Sequence, residues 1–286
     1  MVIAMSVLLG LVSMVAYAAA NVWSQPLVRK YGSPQVLFMR GLIISGVLAL
    51  TCLPLLHRFS DWREVLLALG LGVAGYIPVL AFMQGLKVSR VGIVAPIGAT
   101  SALITVILAF TILNTPLHAI QWFAIALVIA ANVAISVNLR DLRNSNVMQL
   151  ESGVLFGLIA ALGWGGFYFG LIYPTRALGP WVAAFLVELG VTFAAWVHIK
   201  ASHLSFNSDA FKSFSVIGSG LCIVIGTVAY TLGVFRYNVG IVAVLSNSTA
   251  LVSTLLAAYF FKEKLSRFEK LVAAAMIIGV VLVSLP

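Results

Sequence analysis

Gly85…Val91-Gly92-Ile93-Val94-Ala95 and Gly233…Val239-Gly240-Ile241-Val242-Ala243 are one run of residues written twice at the same internal spacing. The shift that lays Gly85 on Gly233 also lays Ala102-Leu103 on Ala250-Leu251, Leu108-Ala109 on Leu256-Ala257 and Leu117 on Leu265. It then lays Ile129, Val133 and Ser136 on Ile277, Val281 and Ser284 without a gap. A shift one residue shorter lays Gly10-Leu11 on Gly157-Leu158 and Tyr17 on Trp164. Apolar segments share letters by chance, so the weight rests on the sustained register and the shared glycines. The chain is a duplication.

What is duplicated is membrane-spanning. Of 286 residues, 62% are hydrophobic and 9% charged, and the mean hydropathy is +1.11. A soluble domain runs near half apolar and a quarter charged, because water must wet its surface. Ten apolar stretches of about 20 residues, the length that crosses about 30 Å of hydrocarbon, run over 3–24, 35–56, 64–86, 91–113, 118–138, 152–173, 180–200, 213–235, 240–261 and 267–285. Helix is the expected form, since lipid requires backbone groups to be satisfied within each segment. The ten-residue alternation of a membrane barrel is absent. The start, Met1-Val2-Ile3-Ala4-Met5, lacks the positive leader of a signal peptide despite Ala18-Ala19-Ala20, so the first stretch is expected to be structural.

The expected fold is therefore all-α and integral to the membrane, with ten transmembrane helices in two five-helix repeats, 1–141 and 150–286. Five is odd, so the second copy enters the membrane upside down. Inverted repeats meeting at the midplane, around a central cavity, are a recurring transporter plan.

Several motifs carry a family resemblance. They are Gly10-Leu11…Tyr17-Ala18 with Gly157-Leu158…Gly163-Trp164-Gly165, Val91-Gly92-Ile93-Val94-Ala95-Pro96 opening the fourth helix, and Lys262-Glu263-Lys264-Leu265-Ser266 between the ninth and tenth. Together these resemble the drug/metabolite transporter superfamily, in its EamA-like branch, over essentially the whole chain. Two places depart from the pattern: Asn114-Thr115-Pro116-Leu117 stands where the first copy's acid belongs, and Val244 stands where the fourth helix has Pro96. The resemblance implies a multi-pass protein of the bacterial cytoplasmic (inner) membrane. Members move amino acids, nucleotide sugars, sugar phosphates, choline-like cations and drugs.

Charges within a span cost roughly 2.5–3.5 kcal/mol each and face a cavity or a partner. Arg40 lies about 9 Å past Pro34 along its helix, and Glu188 about 12 Å past Pro180. Entering from opposite faces, they are separated in depth by roughly 9 Å of a 30 Å core. Glu188 suits an amine or a proton and Arg40 a carboxylate, so together they suit a zwitterion. The structural alternative is an Arg–Glu pair, or an Arg reaching the headgroups. Ser13, Tyr17, Asn21 and Ser24 share one face of helix one, and Trp164 and Tyr168 take the places of Tyr17 and Asn21 in the second copy. Asn247 is the bulkiest polar group among the small ones of helices four and nine, which otherwise serve close packing. Tyr76 and Gln84 on helix three are expected to share a face that Tyr230 on helix eight opposes. The candidate substrate-binding set is thus Tyr17, Asn21, Arg40, Tyr76, Gln84, Trp164, Tyr168, Glu188, Tyr230 and Asn247.

Other patterns resolve to packing. Gly70-Leu71-Gly72-Val73-Ala74-Gly75 matches the dinucleotide fingerprint but sits in an apolar span with no strand before it. Gly166 and Gly170 are expected to pack a neighbouring helix, and Asn247-Ser248-Thr249 to be buried from glycosylation. His57, His118, His198 and His203 lack metal-ligand spacing, and no phosphate-cradling loop exists. The reading is not an enzyme, with no cofactor and no metal. The net charge of +9 is scattered between apolar runs, which fits membrane surfaces and not nucleic acid.

The expected partners are a small-molecule substrate and membrane lipid, with a coupling ion (proton or sodium) and a homodimer left open. Lys and Arg gather after odd-numbered helices, as at Arg29, Lys30, Lys87, Arg90, Lys262 and Lys264. That bias places both termini outside, whereas the resemblance places both inside. The functional reading is a secondary transporter, exporter or exchanger, of small metabolites with amino acids preferred, working by alternating access. The alternatives are efflux of hydrophobic organic cations or drugs in an aromatic, acidic cage, and a non-transporting membrane interaction protein.

Overall fold

A computed structural model describes residues 2–89, 91–114, 118–136, 153–204, 211, 213–260 and 266–283. Among them the regular structure is helical throughout, with no strand. The first half holds α1 Val2–Tyr31, α2 Ser33–Cys52, a 3-10 segment Leu53–Ser60, α3 Trp62–Val88, α4 Val91–Ala99, α5 Ser101–Leu113 and α6 Ala119–Ser136. The second holds α7 Val154–Gly170, α8 Ile172–Leu178, α9 Pro180–Ala201, α10 Phe214–Arg236, α11 Val239–Asn247, α12 Thr249–Phe260 and α13 Arg267–Val283. Six stretches are long and apolar enough to cross a membrane: Ala4–Tyr31, Ser33–Leu55, Trp62–Val88, Val154–Leu178, Pro180–Ala201 and Phe214–Arg236. Ile97–Leu113, Ala119–Ala131 and Lys270–Gly279 are shorter apolar helices.

Two stretches expected as continuous helices, 91–113 and 240–261, are each broken, at Thr100 and at Ser248. The breaks fall on repeat-equivalent residues and share a cause. Thr100 turns both its N–H (3.1 Å) and its hydroxyl (2.7 Å) back to Ile97 O. Ser248 N–H donates to Leu245 O at 3.0 Å and its Oγ to Val244 O at 2.7 Å. Hydroxyls that bond the preceding turn compete with the helical ladder, and at both breaks such a bond stands beside a main-chain N–H that reaches only three residues back. Helix one runs past the expected 24 to Tyr31 through Pro26, and α7 gives way after Gly170 to α8. The Thr115–Leu117 and Lys262–Leu265 motifs, and the expected span ends at 137–138, 152, 261 and 284–285, lie outside the described residues.

Equivalent positions adopt equivalent geometry. Gly32 (φ 84, ψ 151) and Gly179 (φ 85, ψ 162) cap the N-termini of α2 and α9, each followed by a proline in the first turn. A positive φ of this size is open to glycine at little cost. Ser89 and Tyr237 close α3 and α10 in extended conformation, their N–H groups on Gly85 O and Gly233 O.

Packing crosses between the halves. Helix α1 lies against α10, α11 and α12, while its counterpart α7 lies against α3, α4 and α5. Lipid supplies no hydrophobic drive for this association, so close approach over small residues carries it. A Cβ on Gly10 would stand 2.7 Å from Leu245 Cβ, and one on the equivalent Gly157 would stand 2.9 Å from Cβ of the equivalent Ile97. Helices α2 and α9 pack on each other and run antiparallel: Cys52 Sγ meets Trp181 O at 3.4 Å, and Ser45 Oγ meets Thr192 Oγ1 at 3.3 Å. In the 70–75 run, Gly72 abuts the Val187–Gly190 backbone and Gly75 the Phe167 ring, but Gly70 has nothing within 4 Å. Gly170 likewise packs on Leu71, whereas Gly166 faces open space. Only part of each glycine pattern is therefore used for packing.

Candidate functional site

Where α1 to α4, α7 and α9 to α12 converge they line a cavity of about 80 Å³. Seven of the ten candidate residues border it: Tyr17, Asn21, Arg40, Trp164, Tyr168, Glu188 and Asn247. The other three do not. The Tyr76 hydroxyl lies 2.9 Å from His198 Nδ1 near the end of α9, with the two rings edge to face. Gln84 is half-buried away from the cavity. Tyr230 is fully buried, standing behind Tyr168: its ring lies 4.9 Å from the Tyr168 ring and its OH donates to Tyr168 O at 3.2 Å. The expected Tyr76–Gln84 face opposed by Tyr230 does not form. Eight residues turn a helix about 80° past a whole number of turns, so Tyr76 and Gln84 point in different directions.

Glu188 owes its position to a small-residue seam. Gly41 lets Thr192 come against α2, where a Cβ would collide with the Thr192 hydroxyl. Thr192 Oγ1 in turn donates to Glu188 O at 2.7 Å, one turn back. The Glu188 carboxylate accepts from Thr227 Oγ1 at 2.9 Å, and Thr227 accepts from Tyr17 OH at 3.2 Å. Tyr17 is held flat on α10 by Gly226, whose Cβ position lies 2.6 Å from the ring. A relay of hydroxyls thus ends on the acid. Thr227, which also borders the cavity, was not singled out from sequence. Its one signal is position, a turn before Tyr230 and Thr231 on α10.

Arg40 is 7% exposed. A guanidinium offers five N–H donors, and among the described residues this one makes a single long bond, 3.5 Å to Ser24 Oγ. Arg40 and Glu188 therefore border the same cavity, each held by a different hydroxyl. Among the described residues no hydrogen bond joins them.

The rest of the wall is aromatic and aliphatic. The Phe82 and Trp164 rings lie 5.0 Å apart, and Trp164 covers Gly98. Asn247, 6% exposed, accepts from Ser101 Oγ at 3.0 Å and donates to Ala243 O at 2.9 Å, tying the two helix breaks together. Its burial agrees with the expectation that Asn247-Ser248-Thr249 is sheltered. An apolar chamber with a few convergent polar groups and two opposite charges is the form of a small-molecule site.

Comparison with known proteins bears on what such a chamber serves. An uncharacterized protein of Methanocaldococcus jannaschii is 22% identical over 138 residues, which are 48% of this chain and 98% of that protein. Nearly the whole of that relative thus corresponds to half of this chain. A solved crystal structure superposes with a TM-score of 0.70 at 16% identity, covering 95% of each chain, which establishes likeness of fold. The EamA-like transporter family matches residues 4–137 and again 151–285. With apolar helices able to span a bilayer and both repeats of the family pattern present, this integral, multi-pass membrane protein belongs to the EamA-like transporter family.

Proposed function

We propose that the chain is a secondary transporter of small zwitterionic metabolites, amino acids first, acting as an exporter or exchanger by alternating access. The observation that carries this reading is the separation of Arg40 from Glu188 on one cavity wall. The two opposite charges face one cavity with no hydrogen bond between them, and a zwitterion gives each a direct partner at once, its carboxylate on Arg40 and its ammonium on Glu188. Tyr17, Asn21, Trp164, Tyr168 and Asn247 complete the chamber, with Tyr230 acting through Tyr168. Tyr76 and Gln84 belong to the frame.

The architecture assigned with this function is ten membrane passes in two inverted repeats, 1–141 and 150–286, each broken helix pair counting as one pass. Supporting it are the antiparallel packing of the equivalent helices α2 and α9 and the exchanged contacts of α1 and α7. Exchanging the conformations of two such halves moves a central site from one face to the other. A bacterial cytoplasmic membrane is the setting that goes with this reading. Proton or sodium coupling and a homodimer would each extend the cycle without changing the site.

A second reading is favoured by the aromatic wall: Trp164 and Tyr168 beside Glu188 would also attract an organic cation. The cavity volume weighs against it, since about 80 Å³ is well below the roughly 300–1,000 Å³ of pockets for drug-sized ligands.

Counterflow in proteoliposomes tests the proposal. Vesicles preloaded with unlabelled neutral amino acids should accumulate labelled amino acid above protein-free controls. Folded protein that accumulates organic cations but no amino acid would replace the first reading with the second.

A further inference from the structure

Away from the central cavity, the far end of α1 frames an open cleft of about 400 Å³ bordered by Gln25, Pro26, Arg29 and Lys30. Helix α1 contains no Asp or Glu, so its two cations have no acid on their own helix. Arg29 is steadied from across the fold. Its Nη2 donates to Ser89 O at 2.9 Å, and Gln25 Nε2 donates to the same oxygen at 3.2 Å. That bond uses one of the five N–H donors of a guanidinium, and Arg29 and Lys30 are both exposed. Lys87, exposed in the last turn of α3 two residues before Ser89, adds a third cation at this end of the bundle.

The cleft belongs to the outer side of the helix. None of its four residues borders the central cavity. Back along α1 from Lys30, the residues Pro26, Trp23, Ala19, Val15, Val12 and Leu8 recur at spacings of three and four, and each is exposed or half-buried. They form one stripe on a stretch long and apolar enough to span a bilayer. Lys30 stands at the end of that stripe, about 10 Å beyond Trp23 at 1.5 Å per residue. A second stripe, Phe214, Ile217, Leu221 and Ile225, is exposed on α10. The two meet at Trp23, whose ring lies 6.4 Å from the Phe214 ring and 2.7 Å from the Cβ position of Gly218.

We propose that this cleft binds the phosphate of an anionic phospholipid, with Arg29 and Lys30 taking the charge and the acyl chains lying along the stripes that meet at Trp23. Both side chains make charge-assisted hydrogen bonds to phosphate oxygens. A zwitterionic headgroup would bring its own ammonium to two cations, so the cleft favours a lipid of net negative charge. The apolar stripes favour a lipid over a free phosphate, which has nothing to lay on them. The other copy lacks the site. The shift that lays Gly10 on Gly157 lays Gln25, Pro26, Arg29 and Lys30 on Ile172, Tyr173, Arg176 and Ala177, with one cation in place of two and no amide. Lipid binding here is independent of what the central cavity carries.

The test is lipid binding to the purified full chain in detergent, read by native mass spectrometry. The probes are phosphatidylglycerol, phosphatidylcholine with the same acyl chains, and water-soluble glycerol phosphate. Phosphatidylglycerol should bind on the order of tenfold more tightly than phosphatidylcholine, and glycerol phosphate should not displace it. A cation beside an anionic headgroup is worth about fivefold in affinity, so Lys30→Gln should weaken phosphatidylglycerol by that factor and Lys30→Arg should keep it. Arg176→Gln, the matching change in the other copy, should leave it unchanged. Lys30 is exposed and takes no part in the Ser89 bonds, so its variants should fold as wild type does. Equal affinity for the two lipids, or a loss in Arg176→Gln matching that in Lys30→Gln, would overturn the assignment. Displacement by glycerol phosphate at the concentration of the lipid would overturn it too, giving the cleft to a free phosphate ester.

Discussion

Ser45 and Thr192 stand 147 residues apart in the chain, at equivalent places in its two copies, and their hydroxyls meet at 3.3 Å between α2 and α9. A residue that touches its own counterpart lies on the axis relating the copies. Helices α2 and α9 are antiparallel at that contact, and on the proposed inverted-repeat architecture the axis would carry one copy into the other upside down. Arg29 and Arg176, both exposed and equivalent under the same shift, should then lie on opposite faces of the membrane. Single-cysteine variants Arg29→Cys and Arg176→Cys, with Cys52 and Cys222 replaced by serine, should react with an impermeant maleimide from opposite sides of oriented vesicles. Labelling of both from one side would refute the inversion.

The two charges make the sharpest mutational contrast. Breaking one partner of a buried charge contact costs about 2–5 kcal/mol, or roughly two orders of magnitude and more in transport efficiency. Glu188→Gln should cause such a loss for amino acids and organic cations alike. Arg40→Ala should cause it for amino acids and spare cations. Initial counterflow rates with both substrate classes decide this, and loss of cation transport in Arg40→Ala would show that Arg40 serves the fold.

Thr227 links Tyr17 to Glu188 through one hydroxyl. Thr227→Val strands both groups, and an unsatisfied buried partner costs roughly 1–3 kcal/mol. The KM for amino-acid counterflow should rise about tenfold, whereas Thr227→Ser, which keeps the hydroxyl, should stay close to wild type. Matching losses in both variants would mean that the Thr227 methyl matters and the relay does not.

How far the sequence could be read is clear from these residues. Hydropathy and the repeat register revealed helices and duplication, because apolar length and fixed spacing are properties of the chain alone. Counting from Pro34 and Pro180 predicts neighbouring levels for Arg40 and Glu188, and both border one cavity. Direction around a helix was less readable. Tyr76 and Gln84 were paired by spacing, yet Tyr76 turns to His198. The breaks at Thr100 and Ser248 depend on hydroxyls choosing a backbone carbonyl over alternatives, and serine and threonine are common inside membrane helices. Thr227 was hidden for the same reason, since its importance comes from Glu188, a residue 39 positions away.

The seam between α3 and α9 makes a stability prediction. Gly72 and Gly190 approach so closely that a Cβ on Gly190 would lie 3.0 Å from Gly72 Cα, while Gly70, two residues away, faces nothing within 4 Å. Gly72→Leu forces side-chain bulk into backbone and should destabilise the detergent-solubilised protein by about 1–3 kcal/mol or more. Gly70→Ala should be neutral or slightly stabilising, because alanine favours helix over glycine by about 1 kcal/mol. Thermal unfolding followed by size exclusion separates the two, and equal effects would show that Gly72 is not a packing contact.

Arg40 and Glu188 are proposed to hold the two ends of one zwitterion. That assignment is tested most directly by competition against labelled amino-acid counterflow, using the unlabelled amino acid, the amine lacking its carboxylate and the acid lacking its amine. The intact amino acid should compete, and neither truncated analogue should do so at the same concentration. Competition by the amine as effective as that by the amino acid would contradict it, leaving Glu188 as a cation site and Arg40 without a ligand.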